Sequence, residues 1–172
     1  MSVLPPRNGR RAPFVASRSG GRRRSGRQPP RLRLSVVGSN HYPDLPARST
    51  LRRWVGMALL GRNAQINLVF VNRQVGRRLN RQFRARDYPT NVLTFAYQKR
   101  PTVVAELVLC VPVVRREALE QGKTVLQHLA HMVVHGVLHA QGHDHANAQE
   151  SRRMRLLERR FLAHLRIPDP YA

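Results

Sequence analysis

The chain has 172 residues, 41% of them hydrophobic, and a formal net charge of +22 from 31 Lys plus Arg against nine Asp plus Glu. Length and apolar content suit one α+β domain with its own core, and the lone Cys110, read as a buried strand residue, excludes an internal disulfide and fits a reducing, cytoplasmic compartment. No apolar run is long enough to span a bilayer, no secretory signal is visible, and the positive excess favours polyanionic partners such as RNA, bound in a salt-dependent way.

The charge is densest in residues 1–34, which hold ten arginines and no acid. Residues 1–31 read as a basic, disordered extension preceding a domain at 32–172. Three roles are open to the extension. It is an arm that neutralises RNA phosphates without sequence preference, or a stretch upstream of the functional domain through a start site placed too early. The third is a mitochondrial transit peptide, which its Arg and Ser richness suggests but Pro5, Pro6, Pro29 and Pro30 disfavour.

Residues 31–37 (RLRLSVV) alternate charged and apolar side chains and predict a strand. After the break at Asp44-Leu45-Pro46, Ser49 or Thr50 is positioned to cap a helix running to about Leu60, with Trp54, Val55, Ala58 and Leu59 inward. Residues 65–71 (QINLVFV) predict a second strand, and Asn72 a cap for a short helix that turns Val75, Leu79 and Phe83 inward. Strands follow at 92–97 and 103–111, joined hairpin-like through 98–102. Pro112 suits the first turn of a helix that Gly122 ends, Thr124 caps the next, and a basic amphipathic helix at about 148–165 presents Met154, Leu157, Phe161 and Leu165 to the domain. The layout is one domain, a mixed four- to five-stranded sheet packed with helices.

The helix capped by Thr124 runs into HGVLHAQGHDH, residues 135–145. His135 and His139 stand at i and i+4, one turn apart on one helix face, where both reach a single ion. Gly142 permits the left-handed turn that swings His145 back towards them. Three histidines leave a fourth position open, as in catalytic rather than structural zinc sites. The other histidines are read as ordinary packing or surface residues: His131 extends the same row, His143 in the turn is a competing ligand, and His41, His128 and His164 have no useful spacing. The spacing HxxxHxxGxxH is shared with metzincin metalloproteases, but their glutamate general base after the first histidine is here Gly136, which disfavours peptide hydrolysis.

The run HGVLHAQGHDH resembles the HGxLHxxGxDH signature of the YbeY endoribonucleases, bacterial rRNA maturation factors. LNRQFRARDYPTNVLTF, residues 79–95, is similar to a second block of that family; AELVLC followed by VVRREALEQGK is similar to the strand and helix that come next, and the closing DPY to its usual C-terminus. The resemblance covers roughly residues 32–171. It implies zinc on His135, His139 and His145, a functional arginine at Arg84, and single-stranded RNA as substrate. The setting it implies is 16S 3′-end processing and ribosome quality control, with the small ribosomal subunit and its factors as partners. An arginine there has physical sense, since a guanidinium holds two phosphate oxygens bidentately as charge develops on them. Thr90 and Asn91, at a strand start beside Arg84, are candidates to touch substrate. Asp87 is a candidate to orient Arg84 through a salt bridge, and Glu106 to hold a metal ligand's second nitrogen. Asp144 is a candidate general base or a turn cap. A non-catalytic, zinc-containing ribosome-binding factor is the principal alternative.

Overall fold

The computed structural model describes residues 30–172, so the basic extension at 1–31 lies almost wholly outside the described residues. Four strands, β1 (Leu32–Val37), β2 (Ala64–Val71), β3 (Val92–Gln98) and β4 (Val103–Cys110), form one sheet in the order β1-β2-β4-β3. β1, β2 and β4 run parallel, and β3 pairs antiparallel with β4 through the expected hairpin. Five α-helices surround the sheet: α1 (Arg48–Ala58), α2 (Arg73–Arg84), α3 (Val111–Glu120), α4 (Val125–Ala140) and α5 (Ala148–His164).

Strand alternation decides which helix covers which face. Leu34, Ile66, Leu68, Ala105, Leu107 and Leu109 turn to one face, where they join Trp54 and Val55 of α1, Val133 and Val137 of α4, and Phe161 and Leu162 of α5 in the main core. Leu93, Val108 and Cys110 turn to the other, under Val75 and Leu79 of α2 and Val113 of α3. α4 is the central helix and touches α1, α3, α5, β3 and β4. Its start is a capping box: Thr124 accepts from the Gln127 backbone N–H while the Gln127 side chain accepts from that of Thr124.

Two local expectations are corrected. The N-cap of α1 is Ala47, with no side-chain hydrogen bond, and Ser49 and Thr50 lie inside the helix. Phe83 is 54% exposed, with its ring edge-on to Phe95 at 4.9 Å. Val75 and Leu79 do pack inward as expected, beside the buried Gly76 and Asn80. A Cβ at 76 would come 3.0 Å from the sulfur of buried Cys110, which would have to shift by a few tenths of an ångström to admit it.

Candidate metal centre and its cleft

His135 and His139 emerge from the last two turns of α4, half-buried, and the chain then leaves the helix through Gly142 at φ +92°. This left-handed step, costly for a residue with a Cβ, returns exposed His145 to the pair. One ring nitrogen from each of the three histidines lies within 4.8 Å of the others, a group able to hold one metal ion. Ring centroids are 4.6 Å apart for His135 and His139, and 4.9 Å for His139 and His145. The chemistry of the donor set fits a metal: burial and the neighbouring imidazoles push the His139 pKa down to about 4, so the ring is neutral and its lone pair free at neutral pH.

Behind the trio, Glu158 of α5 holds the ring of His135. Its Oε1 lies 2.6 Å from His135 Nδ1, leaving Nε2 for an ion, and its Oε2 accepts from the Tyr171 hydroxyl. His131, one turn earlier on α4, stands 3.6 Å from Oε2, too far for a good hydrogen bond. Burial alone would raise the Glu158 carboxyl, but the hydrogen bonds to His135 and Tyr171, with the His131 ring close by, outweigh it and keep the group ionised well below the usual carboxylate range. This is the carboxylate–histidine support expected behind a metal ligand, supplied by Glu158 rather than Glu106. Glu106 lies on the opposite face of the sheet, where Asn67 donates to it at 2.7 Å. The strand period dictates this, because the adjacent Leu107 is the residue that faces α4.

In front of the trio lies a cleft of about 460 Å³ that brings together Arg84, Thr90, Asn91, His135, His139, Asp144 and His145. Arg84 ends α2, and Ala85, at φ +54°, turns the chain sharply after it. Asp87 does not orient Arg84: it pairs with Arg77, at 2.6 Å, because the loop after α2 folds back along the helix. Buried Asn80 fixes that loop by donating to the Tyr88 carbonyl at 2.7 Å. Asn91 is held by Glu117, which also meets His128 at 2.9 Å, so His128 is a packing residue. Asp144 accepts from the His145 backbone N–H at 2.8 Å, a turn-capping contact that lowers its pKa, and its carboxylate lies 3.9 Å from His139. His143 is outside the ligand group.

Gly136 has a steric role at this site. A Cβ there would meet the Leu107 side chain at 2.6 Å and Thr94 Oγ1 at 3.1 Å, so α4 lies too close to the sheet for the glutamate a metzincin places there. Asn80, Arg86 and Tyr88 also line the cleft and were not singled out from the sequence; nor was Glu158. A signal for Glu158 existed. It falls on the inner stripe of α5 with Met154, Phe161 and Leu165, and a carboxylate among apolar residues requires a polar partner.

An α+β domain that gathers three histidines beneath a cleft edged by arginines has the make-up of an enzyme acting on an anionic substrate. The family model for endoribonuclease YbeY matches residues 45–166, and the chain belongs to that family. The endoribonuclease YbeY of Aromatoleum aromaticum is 48% identical over 145 residues, covering 83% of this chain and 94% of the relative. That of Bordetella pertussis is 53% identical over 151 residues, covering 81% and 96%. The solution structure of TM1509 from Thermotoga maritima superposes with a TM-score of 0.51 at 26% identity, covering 77% of this chain and 91% of that one.

Proposed function

We propose that this protein is a zinc-dependent endoribonuclease that cuts single-stranded RNA in rRNA maturation, at the 3′ end of 16S rRNA, and in ribosome quality control. The observation that carries the reading is the convergence of His135, His139 and His145 on the same cleft as Arg84. Relatives about half identical to the chain, named endoribonucleases, support the substrate class. Three imidazoles suit zinc, which when bound supplies a Lewis acid for a phosphate oxygen or water.

The protein's own groups do the rest. Arg84 holds non-bridging phosphate oxygens and stabilises the charge that develops on them during cleavage. Thr90 and Asn91 offer polar contacts along the strand, with Asn91 aimed by Glu117. Glu158 fixes the ring of His135. Asp144, exposed and lining the cleft while it caps the turn before His145, is the candidate general base of this proposal. The partners of the reading are rRNA and the small ribosomal subunit with its factors, in the cytoplasm. No helix among the described residues is long and apolar enough to cross a membrane.

The test is cleavage of a labelled single-stranded rRNA fragment by metal-quantified wild type beside Arg84→Ala and His139→Ala, at two salt concentrations, with contaminating nuclease excluded. Loss of cutting in both variants, with folding and bulk RNA binding retained, is the expected result. Equal activity in all three, or none in wild type with one zinc bound, would transfer the protein to the non-catalytic binding factor.

A further inference from the structure

The three-histidine group stands between two cavities. Adjoining the Arg84 cleft, a second cavity of about 240 Å³ is lined by His135, His145, Ser151, Arg155, Glu158 and Tyr171, with Met154. Both cavities are lined by His135 and His145 and share no other side chain, so a strand crossing exposed His145 would pass from one cavity into the other.

The polar groups of this second cavity are of two kinds. Glu158 and the Tyr171 hydroxyl are occupied with one another and with His135. Ser151 and Arg155 remain available. Arg159, one turn further along α5, is paired with Asp169 at 3.0 Å, whereas Arg155 forms no ion pair among the described residues. Its guanidinium is nevertheless placed, 5.3 Å from the centroid of the Tyr171 ring. Tyr171 is itself anchored, its backbone N–H donating to Asp169 at 2.9 Å while Lys123 donates to the Pro170 carbonyl at 2.6 Å. A pre-positioned guanidinium with free charge beside a hydroxyl recognises an anionic oxygen. The volume lies below that usual for sites enclosing a whole organic ligand, but a single phosphodiester group fits the scale and the donors.

Building on the proposed RNA substrate, we propose that this cavity is a phosphate subsite: Arg155 and Ser151 hold the phosphodiester neighbouring the one at the histidines, on the side away from Arg84. The strand is thus gripped by one arginine on each side of the reacting linkage. Such a grip selects flexible single strands, which can bend across the ridge made by His145, over a duplex, which resists that bend.

The experiment uses short labelled RNA strands in which one linkage at a time is replaced by an uncharged methylphosphonate. They are bound, by fluorescence anisotropy, to metal-loaded wild type, Arg155→Gln and, as a control, Arg160→Gln on the exposed surface of α5. Product analysis of the unmodified strand identifies the linkage at the histidines. Neutralising the linkage next to it, on one side, is expected to weaken wild-type binding about tenfold. Arg155→Gln should bind the native strand about tenfold more weakly, be indifferent to that same replacement, and show a salt slope shallower by about 0.7. Ser151→Ala should lose about threefold, and Arg160→Gln should follow wild type at every linkage. Arg155→Gln sharing the wild-type sensitivity at every linkage would overturn the subsite while leaving the nuclease reading intact. Wild type that neither binds nor cuts RNA would remove both.

Discussion

Gly136→Ala sets two known effects against each other at one position. In an unconstrained helix interior the change stabilises by about 1 kcal/mol through backbone entropy. Here the new methyl arrives 2.6 Å from Leu107 Cδ2, 3.0 Å from its Cγ and 3.1 Å from Thr94 Oγ1. Leu107 is fully buried, so it cannot swing out into solvent, and Thr94 Oγ1 crowds the same methyl from a second side chain. Overpacking of this kind costs about 1–3 kcal/mol. The contact is closer than ordinary van der Waals distance by over half an ångström, which places the cost in the middle of that range and leaves a net destabilisation of about 1 kcal/mol. In a domain of about 150 residues this lowers Tm by roughly 2–4 °C. Thermal unfolding of metal-free wild type and variant, followed by circular dichroism, measures it. Since propensity alone predicts the opposite sign, a variant with unchanged or higher Tm would refute the close approach of α4 to β4. Gly136→Glu should fail to fold, because the same gap would then have to take a carboxylate as well.

Glu158→Gln keeps the shape but removes the charge behind His135, and zinc affinity measured by competition with a chelating dye should fall about 10- to 100-fold; unchanged affinity would reduce Glu158 to a packing residue. In the metal-free protein, His139 resists protonation to about pH 4 while the unfolded chain takes up that proton near 6.5. The unfolded state therefore binds more protons in that window, so this group's contribution is at its full favourable value above 6.5 and is lost as pH falls to about 4. Urea midpoints across the range, with NMR titration of the ring, test this, and a His139 that titrates near 6.5 would contradict it. Thr124→Ala removes one half of the capping box and should cost about 1 kcal/mol in urea unfolding. Zinc affinity should hold, because the histidines occupy the other end of a 16-residue helix; a parallel loss of affinity would show that the helix transmits the damage.

Much of the candidate site was legible because it is local. Helical periodicity alone puts His135 and His139 on one face, a glycine three residues on permits the returning turn, and Asn72 and Thr124 cap the helices that follow them. The first strand followed from alternation, the others were read from their apolar runs, and all four came within a residue or two of their bounds. The position of Arg84 was legible only through the resemblance of its surrounding block, since nothing in its spacing separates it from the other arginines.

Partner choice was decided by the tertiary structure. Asp87 is close in sequence to both Arg84 and Arg77, and only the fold-back of the loop after α2 selects Arg77. Glu106 lies in a matched strand, yet strand pairing and the inward packing of Leu107 send it to the face away from the histidines. Glu158, 23 residues beyond His135, becomes its partner because α5 crosses α4 at that turn. Sequence spacing sets the geometry of residues that share an element, because the backbone repeat is fixed. Contacts between elements depend on crossing, register and face, and those are set by how all the apolar surfaces are buried together.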